Sequence, residues 1–316
     1  MLVDEQTFIK IIAKGGFGEI YLSLKKPENI YYATKTLIKS ELNKEYNMYK
    51  NNEILILLDC CHPNVIKIFE VKEAKNRIFI VKEYCNGGTL DNYLFNINKN
   101  EPFSEEIVQY IMRQIVDAIK YLHNKKIIIR DLTLYNIMIN YDDEKDRINN
   151  NIMKGKIKIA KLTYARYLAK GDLAKEIILN GEYSDPIIYI YEKNQEKFEN
   201  FGYNEKVDIW YLGIVFYKLL IGKNPFSISS LKLNEFYENL NKGDYYVPTS
   251  ISKEALSFLN CTLKYDPTKR LSIDILYNHE FLRKNVNTFT KISENINKSE
   301  IKMNIKDNDC FEILNI

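Results

Sequence analysis

The sequence is poor in the residues that build disulfide scaffolds and metal sites. Of its 316 residues, five are cysteine and three are histidine. The cysteines are Cys60, Cys61, Cys85, Cys261 and Cys310. An odd number of scattered cysteines without ligand spacing argues against a disulfide framework and a zinc site, and favours reduced thiols. We therefore predict a cytoplasmic protein without a structural metal.

Two further absences narrow the class of function. Charge of one sign is not in excess, because 45 basic and 42 acidic residues are mixed along the chain and leave a net charge of +3. Because positive charge is not in excess, the composition does not indicate nucleic-acid binding. The longest apolar stretch, 209–221, contains Gly213 and Lys218 and is too short to cross a bilayer, and no basic-then-apolar leader is present. We expect neither nucleic-acid binding nor insertion into a membrane.

The hydrophobic content, 46%, is enough for a sizeable core in a chain of this length. Up to residue 84 the apolar pattern is typical of short strands, interrupted by one helical segment over 41–58. From Ser104 onward apolar residues recur at helical spacing, and Ser104 is placed to cap that helix. Further helices are predicted over 252–263 and 273–281. The pattern indicates an α+β protein, β-rich first and helical afterwards.

A glycine-rich segment near the N terminus, Ala13-Lys14-Gly15-Gly16-Phe17-Gly18, lies between two apolar runs. By itself it indicates no more than a turn. Lys35 lies seventeen residues after Gly18, and Glu53 follows in the predicted helix. Together these positions resemble the glycine-rich loop, the phosphate-binding lysine and the helical glutamate of protein kinases, with alanine in place of the first glycine.

A second motif, Ile129-Arg130-Asp131-Leu132-Thr133-Leu134-Tyr135-Asn136, resembles the catalytic loop of the same family. It keeps the aspartate in the position of the base, Asp131, and the asparagine in the position of a metal ligand, Asn136. Thr133 stands where serine/threonine kinases usually have a lysine that steadies the transferring phosphoryl group. The resemblance extends over roughly residues 8–283, and the order of the motifs makes it specific.

The most informative departure from the family is Lys161-Leu162-Thr163, which follows a strand-like segment at 156–160. Protein kinases have there the Asp-Phe-Gly motif that holds magnesium. At about 4 Å and an effective dielectric near 20, an ammonium group repels a divalent ion by roughly 8 kcal/mol before relaxation. A register with Asp172 as the ligand is the alternative, but Asp172 does not follow the strand. We predict weak or absent magnesium binding.

The resemblance also implies a nucleotide cleft, with ATP as its ligand. The positions that match the adenine slot and the hinge between lobes are Ile20, Ala33, Met138, Glu83 and Cys85. Lys82, directly before the hinge, is unusual for this position. Two interpretations stay open: its charge reaches solvent past an apolar stem, or its ammonium group pairs with Glu53.

The segment after the metal motif is degenerate, and two alignments are open. One places Asp185-Pro186-Ile187 on the Ala-Pro-Glu motif of the family, and the other makes Glu192 the glutamate that pairs with Arg270. We prefer Glu192, because an unpaired buried arginine is costly.

No serine or threonine lies between Thr163 and Ser184. In kinases with this type of catalytic loop, the arginine at the position of Arg130 often docks a phosphorylated residue of that segment. Arg130 has no such serine or threonine here, so we predict that loop phosphorylation does not switch this protein.

Several stretches resemble the unc-51-like, autophagy-initiating group of serine/threonine kinases. They are the hinge at 83–90, Gly222-Lys223-Asn224-Pro225-Phe226, and a polar insertion over 140–154. This resemblance indicates a subgroup of the family and does not define a biological role.

The sequence thus predicts a two-lobed protein-kinase fold, with a small lobe over 1–84, a large lobe over 85–284 and a polar tail over 285–316. We predict a pseudokinase that acts as a nucleotide-binding or scaffolding module with protein partners. One alternative is a weakly active, atypical serine/threonine kinase that uses ATP. Another is a nucleotide sensor without turnover.

Overall fold

The computed structural model describes residues 2–3, 6–15, 18–26, 28–41, 44–99, 101–193, 201–226, 245–248 and 250–283. Residues 1–282 group into one compact unit and 283–316 into a second. The polar tail predicted over 285–316 lies outside the described residues, as do Gly16, Phe17 and Cys310.

A six-stranded antiparallel sheet forms the N-terminal part of the fold. Its strands are β1 Leu2–Val3, β2 Gln6–Gly15, β3 Gly18–Lys25, β4 Ile30–Ile38, β5 Ile68–Glu73 and β6 Arg77–Glu83. They lie in the order β1-β2-β3-β4-β6-β5. A side chain at Gly18 would place its Cβ 1.9 Å from the carbonyl oxygen of Thr36, so the close pairing of β3 with β4 requires glycine there.

One long helix, α1 Lys44–Asp59, connects β4 to β5. The sequence predicts a helix over 41–58, but a 3-10 turn at Lys39–Glu41 precedes it. Ile56 and Leu57 are buried, and Glu53 is buried with them because residues three and four apart share one face of a helix. Helix α1 therefore turns a carboxylate toward the interior.

The C-terminal part is helical, which confirms the predicted α+β class. Its helices are α2 Leu90–Asn92, α3 Glu105–Asn124, α4 Glu144–Ile148, α5 Pro186–Lys193, α6 Lys206–Ile221, α7 Lys253–Thr262, α8 Ile273–Tyr277 and α9 Glu280–Arg283. Ser104 accepts a hydrogen bond from the Ile107 amide, as its capping role predicts. The helix predicted over 273–281 is two helices, and the ring of His279, just before the second one, accepts a hydrogen bond from the Phe281 amide in its first turn.

Helix α6 is apolar around its circumference and lies in the core of this part, with Trp210, Tyr211 and Phe216 all buried. A helix of this kind needs protein on every side. Within the described ranges, no helix combines the length and apolarity that crossing a membrane requires.

Two short antiparallel pairs bring the candidate site together. Strand β7, Ile127–Ile128, pairs with β10, Arg166–Tyr167. Strand β8, Ile137–Asn140, pairs with β9, Lys156–Ile159. The predicted insertion over 140–154 connects β8 to β9. The pairs fix both ends of the loop that carries Asp131.

Candidate functional site

A cleft of about 770 Å³ opens beside the sheet and is shared by both parts of the fold. The predicted site residues that line it are Gly18, Ile20, Ala33, Lys35, Glu53, Lys82, Glu83, Cys85, Asn136, Met138 and Lys161. Asp131 and Thr133 are not among the lining residues, whereas Thr163 is. Gly15 lies opposite Gly18 in the register of β2 and β3. The fold therefore brings together residues that are more than a hundred positions apart in sequence.

One end of the cleft is an apolar slot. Ile20 on β3, Ala33 on β4 and Met138 on β8 all line it, so a flat ring would contact side chains from both parts of the fold. Cys85 closes the slot and is buried. Burial, with a smaller effect from the charge of Glu83, raises the pKa of the Cys85 thiol to about 12, so it stays protonated. An uncharged, apolar lining suits an aromatic base.

The carboxylate of Glu83 has a structural partner. It lies 2.6 Å from the ammonium of Lys158 on β9 and accepts a hydrogen bond from the Lys67 amide. This side chain therefore joins the two parts of the fold. Glu83 is also one of the residues that line the cleft.

The back of the cleft is built around Glu53, which is 3% exposed. Lys82 donates to one carboxylate oxygen, and Thr163 donates to the other at 3.0 Å. Burial opposes ionisation of Glu53, but the charges of Lys82 and Lys35 and these hydrogen bonds outweigh it, so its pKa lies below the usual value. Of the two interpretations of Lys82, pairing with Glu53 is the one that the structure shows.

This arrangement differs from the one that the resemblance implies. There the strand lysine, Lys35, would pair with Glu53, whereas the ion pair is made by Lys82. Lys82 lies directly opposite Ala33 in the pairing of β4 with β6, and its ammonium group reaches helix α1 from there. Lys35 acts on Glu53 through its charge.

Lys161 lines the other end of the cleft, and the buried Asp131 lies beside it without lining the cleft. The ammonium of Lys161 is 3.4 Å from Oδ2 of Asp131, and its side chain is half exposed while Asp131 is buried. Asn136 donates to the same oxygen at 2.8 Å. Asn180 donates to Oδ1 of Asp131. Both carboxylate oxygens are therefore already engaged by donors.

Lys161 brings an ammonium group, and no oxygen ligand, to this end of the cleft. Mg²⁺ prefers carboxylates and other oxygen ligands, so the Lys161 side chain supplies no ligand for it. No three of the described His, Cys, Asp and Glu side chains converge on a point that could hold a metal ion. The arrangement instead offers ammonium groups, which can neutralise phosphate directly.

Comparison with known proteins agrees with this geometry. The family model described as "Protein kinase domain" matches residues 7–282. This chain belongs to the protein kinase family. The kinase domain is 30% identical to an Aurora kinase of Candida glabrata over 276 residues, which covers 87% of this chain and 70% of that protein. It is 28% identical to an Aurora kinase of Dictyostelium discoideum over 285 residues, covering 89% and 67%.

The human serine/threonine-protein kinase ULK1 is 29% identical to this kinase domain over 274 residues, which is 86% of this chain and 25% of ULK1. The identities to the Aurora kinases and to ULK1 differ by no more than two percentage points. They support membership of the family and do not assign the chain to one of its subgroups.

Helix α6 holds the catalytic loop of the kinase domain through the side chain of Asp208. Asp208 is fully buried and accepts the amides of Ile129 and Arg130 at 2.9 and 2.8 Å. Arg130 has a left-handed backbone, with φ of 66°, which is uncommon for a residue other than glycine. The two hydrogen bonds to Asp208 hold this turn and so position Asp131.

Thr133, which stands at the position of the lysine in the resemblance, is buried and is not among the residues that line the cleft. Its backbone is extended and it precedes the 3-10 turn Leu134–Asn136, whose last amide donates to the Thr133 carbonyl at 3.0 Å. The hydroxyl is too short to replace a lysine that reaches a phosphate.

The predicted pairing of Arg270 with Glu192 is wrong. Arg270 is buried and donates to the carboxylate of Asp185. The other oxygen of Asp185 accepts the amide of Ile187 at the start of α5. Seven helical residues advance a chain by about 10 Å, so Glu192 lies too far along the helix to take the same place.

Two contacts of this kinase domain could not be read from motifs. Asn180 holds Asp131, and Glu176 lies between two arginines, Arg130 and Arg166. Nothing in the sequence marked Asn180. Glu176 had one signal, because it is an acid in the stretch between Thr163 and Ser184, where no serine or threonine occurs.

Proposed function

We propose that this kinase domain is a pseudokinase that binds nucleotide without magnesium and serves as a binding or scaffolding module for protein partners in the cytoplasm. The observation that carries the proposal is the contact of Lys161 with Asp131, at 3.4 Å. It places a cation beside the residue on which kinase chemistry depends.

The first support is electrostatic. A divalent ion close to Lys161 would experience roughly 8 kcal/mol of repulsion at an effective dielectric near 20. Because the Lys161 side chain is half exposed, solvent reduces this several-fold. Since about 1.4 kcal/mol is a factor of ten in affinity, even the reduced repulsion weakens metal binding strongly.

The second support is the state of Asp131. A kinase base must accept a hydrogen bond from the hydroxyl group of its substrate. In this domain Asn136, Asn180 and Lys161 already donate to the carboxylate. A carboxylate accepts about four hydrogen bonds, so a substrate hydroxyl would have to share Oδ1 with Asn180, and no lysine at position 133 would steady the phosphoryl group.

Nucleotide binding itself is supported by the shape and lining of the cleft. Ile20, Ala33 and Met138 would hold the base, and the ammonium groups of Lys35 and Lys161 would hold the phosphates. Charge-assisted hydrogen bonds of this kind are about twice as strong as neutral ones. ATP or ADP is therefore the ligand class that we propose.

A second candidate function is that of a weakly active, atypical serine/threonine kinase. Its support is that Lys35, Glu53, Asp131 and Asn136 are all present, with Asn136 bonded to Asp131 at 2.8 Å. The relatives at similar identity are named as kinases. The unc-51-like subgroup also remains a proposal.

Phosphotransfer separates the two candidates. Purified protein is incubated with radiolabelled ATP and Mg²⁺ or Mn²⁺, with and without a generic protein substrate, beside the Asp131→Asn variant. The pseudokinase predicts equal, background incorporation in both. Incorporation that the Asp131 change abolishes would establish the weakly active kinase instead.

A further inference from the structure

The activation segment, residues 163–185, contains a carboxylate held by two arginines. Oε2 of Glu176 is 2.9 Å from a guanidinium nitrogen of Arg130, and Oε1 is 2.6 Å from one of Arg166. Tyr203 donates its hydroxyl to the backbone carbonyl of Glu176 at 2.7 Å. The residue is therefore fixed at both its side chain and its backbone.

Arg130 is the more deeply buried of the two arginine partners of Glu176. It directly precedes Asp131, is 1% exposed, and donates its Nε to the Tyr164 carbonyl at 2.6 Å. A buried guanidinium requires a counter-charge. Among the described residues, Glu176 is the one carboxylate in an ion pair with Arg130.

The second arginine connects the contact to the rest of the fold. Arg166 lies on β10, whose register pairs it with Ile128 just before the catalytic loop. The next residue, Tyr167, donates its hydroxyl to Asp59 at the end of helix α1, at 3.1 Å. Glu176 is thus linked to the catalytic loop on one side and to helix α1 on the other.

We propose that Glu176 is a positioning residue: a permanent anion that holds the activation segment against the catalytic loop, at the pair of arginines where a phosphate group would otherwise be bound. The segment then keeps one arrangement whether or not any residue in it is phosphorylated. This conclusion does not depend on whether the domain transfers phosphate.

The pKa of Glu176 and the geometry of its two arginine partners both support this proposal. Burial disfavours ionisation, but a backbone hydrogen bond and the charges of Arg130 and Arg166 outweigh it, so the pKa of Glu176 lies below its usual value. A paired guanidinium site also matches the geometry of both carboxylate and phosphate. The same site should therefore accept inorganic phosphate once the side chain is removed.

The test is amide hydrogen exchange, followed by mass spectrometry, in peptides that cover 166–180 of the full chain. Glu176→Gln keeps the shape and removes the charge, and should speed exchange there on the order of ten-fold. Glu176→Ala should behave alike and should be slowed again by tens of millimolar inorganic phosphate, but not by sodium chloride of equal ionic strength. Asp172→Asn, on the same segment, is the matched control and should leave exchange unchanged.

Arg166→Gln provides a second variant at a less buried position. It should also speed exchange, and combining it with Glu176→Gln should add little, because both changes remove the same contact. Unchanged exchange in Glu176→Gln, acceleration that phosphate does not reverse, or full additivity of the two changes would each overturn the proposal.

Discussion

The ammonium of Lys82 pairs with the buried carboxylate of Glu53, so the residue before the hinge makes the ion pair to helix α1. Thr163, two residues after Lys161, donates to the other oxygen of that carboxylate. Two substitutions that look unrelated in the sequence thus meet at one side chain. They hold α1 against the sheet, while Lys35 acts on the same carboxylate through its charge.

Lys82→Met should destabilise the fold by about 3 kcal/mol, because it leaves the buried charge of Glu53 without its main partner. Adding Glu53→Leu should restore most of this loss, since replacing both members of a buried pair by apolar residues is often nearly neutral. Urea unfolding followed by circular dichroism measures both. A loss below about 0.5 kcal/mol in Lys82→Met would show that the pair contributes little.

Glu53 should also make stability depend on pH in the acid range. Its pKa is lower in the folded protein than its ordinary value of 4.5, so its stabilising effect is present above about pH 4.5 and is lost as the pH falls through the folded value. Urea midpoints between pH 7 and pH 3 should therefore fall more steeply for the wild type than for Glu53→Gln. Parallel curves for the two proteins would contradict the assignment.

Lys161→Asp should give nucleotide binding a dependence on divalent ions, because it turns repulsion of the metal into attraction. Turnover should appear only when Thr133→Lys is added, since the phosphoryl group would otherwise lack its lysine. Calorimetry and phosphotransfer measure these steps separately. If Lys161→Asp melts normally and its binding does not respond to magnesium, the block lies elsewhere, with Lys82 the first residue to change.

The thiol of Cys85 should resist alkylation although it lines the cleft. Its pKa of about 12 leaves almost no thiolate at pH 8. Cys61, which is exposed, should react readily with iodoacetamide under the same conditions. Peptide mapping by mass spectrometry distinguishes the two sites, and labelling of Cys85 at a rate similar to that of Cys61 would refute the prediction.

The sequence predicted the fold and most of the cleft because each kinase motif is local. The glycine-rich turn, the strand with Lys35 and the loop with Asp131 and Asn136 each carry their own pattern, and their order along the chain fixes the lobes. Lys161 could be placed because it directly follows a recognisable strand.

Contacts made by the activation segment could not be predicted in the same way. Asn180, Glu176 and Asp185 meet Asp131, Arg130 and Arg270 through the path of a segment that keeps none of the motifs of the family. Side-chain pairing across such distances depends on backbone direction. The preference for Glu192 failed for this reason. The buried Arg270 requires a carboxylate partner, but the sequence does not show which acidic residue lies next to it.

The central claim is that Lys161 takes the place of the metal, and nucleotide binding measured by calorimetry with and without magnesium tests it most directly. The kinase domain is titrated with ADP and with a non-hydrolysable ATP analogue, once with millimolar Mg²⁺ and once with chelator. We predict that affinity in chelator equals or exceeds affinity in magnesium, because Lys35 and Lys161 neutralise the phosphates themselves. An affinity that rises ten-fold or more when magnesium is added would contradict the account.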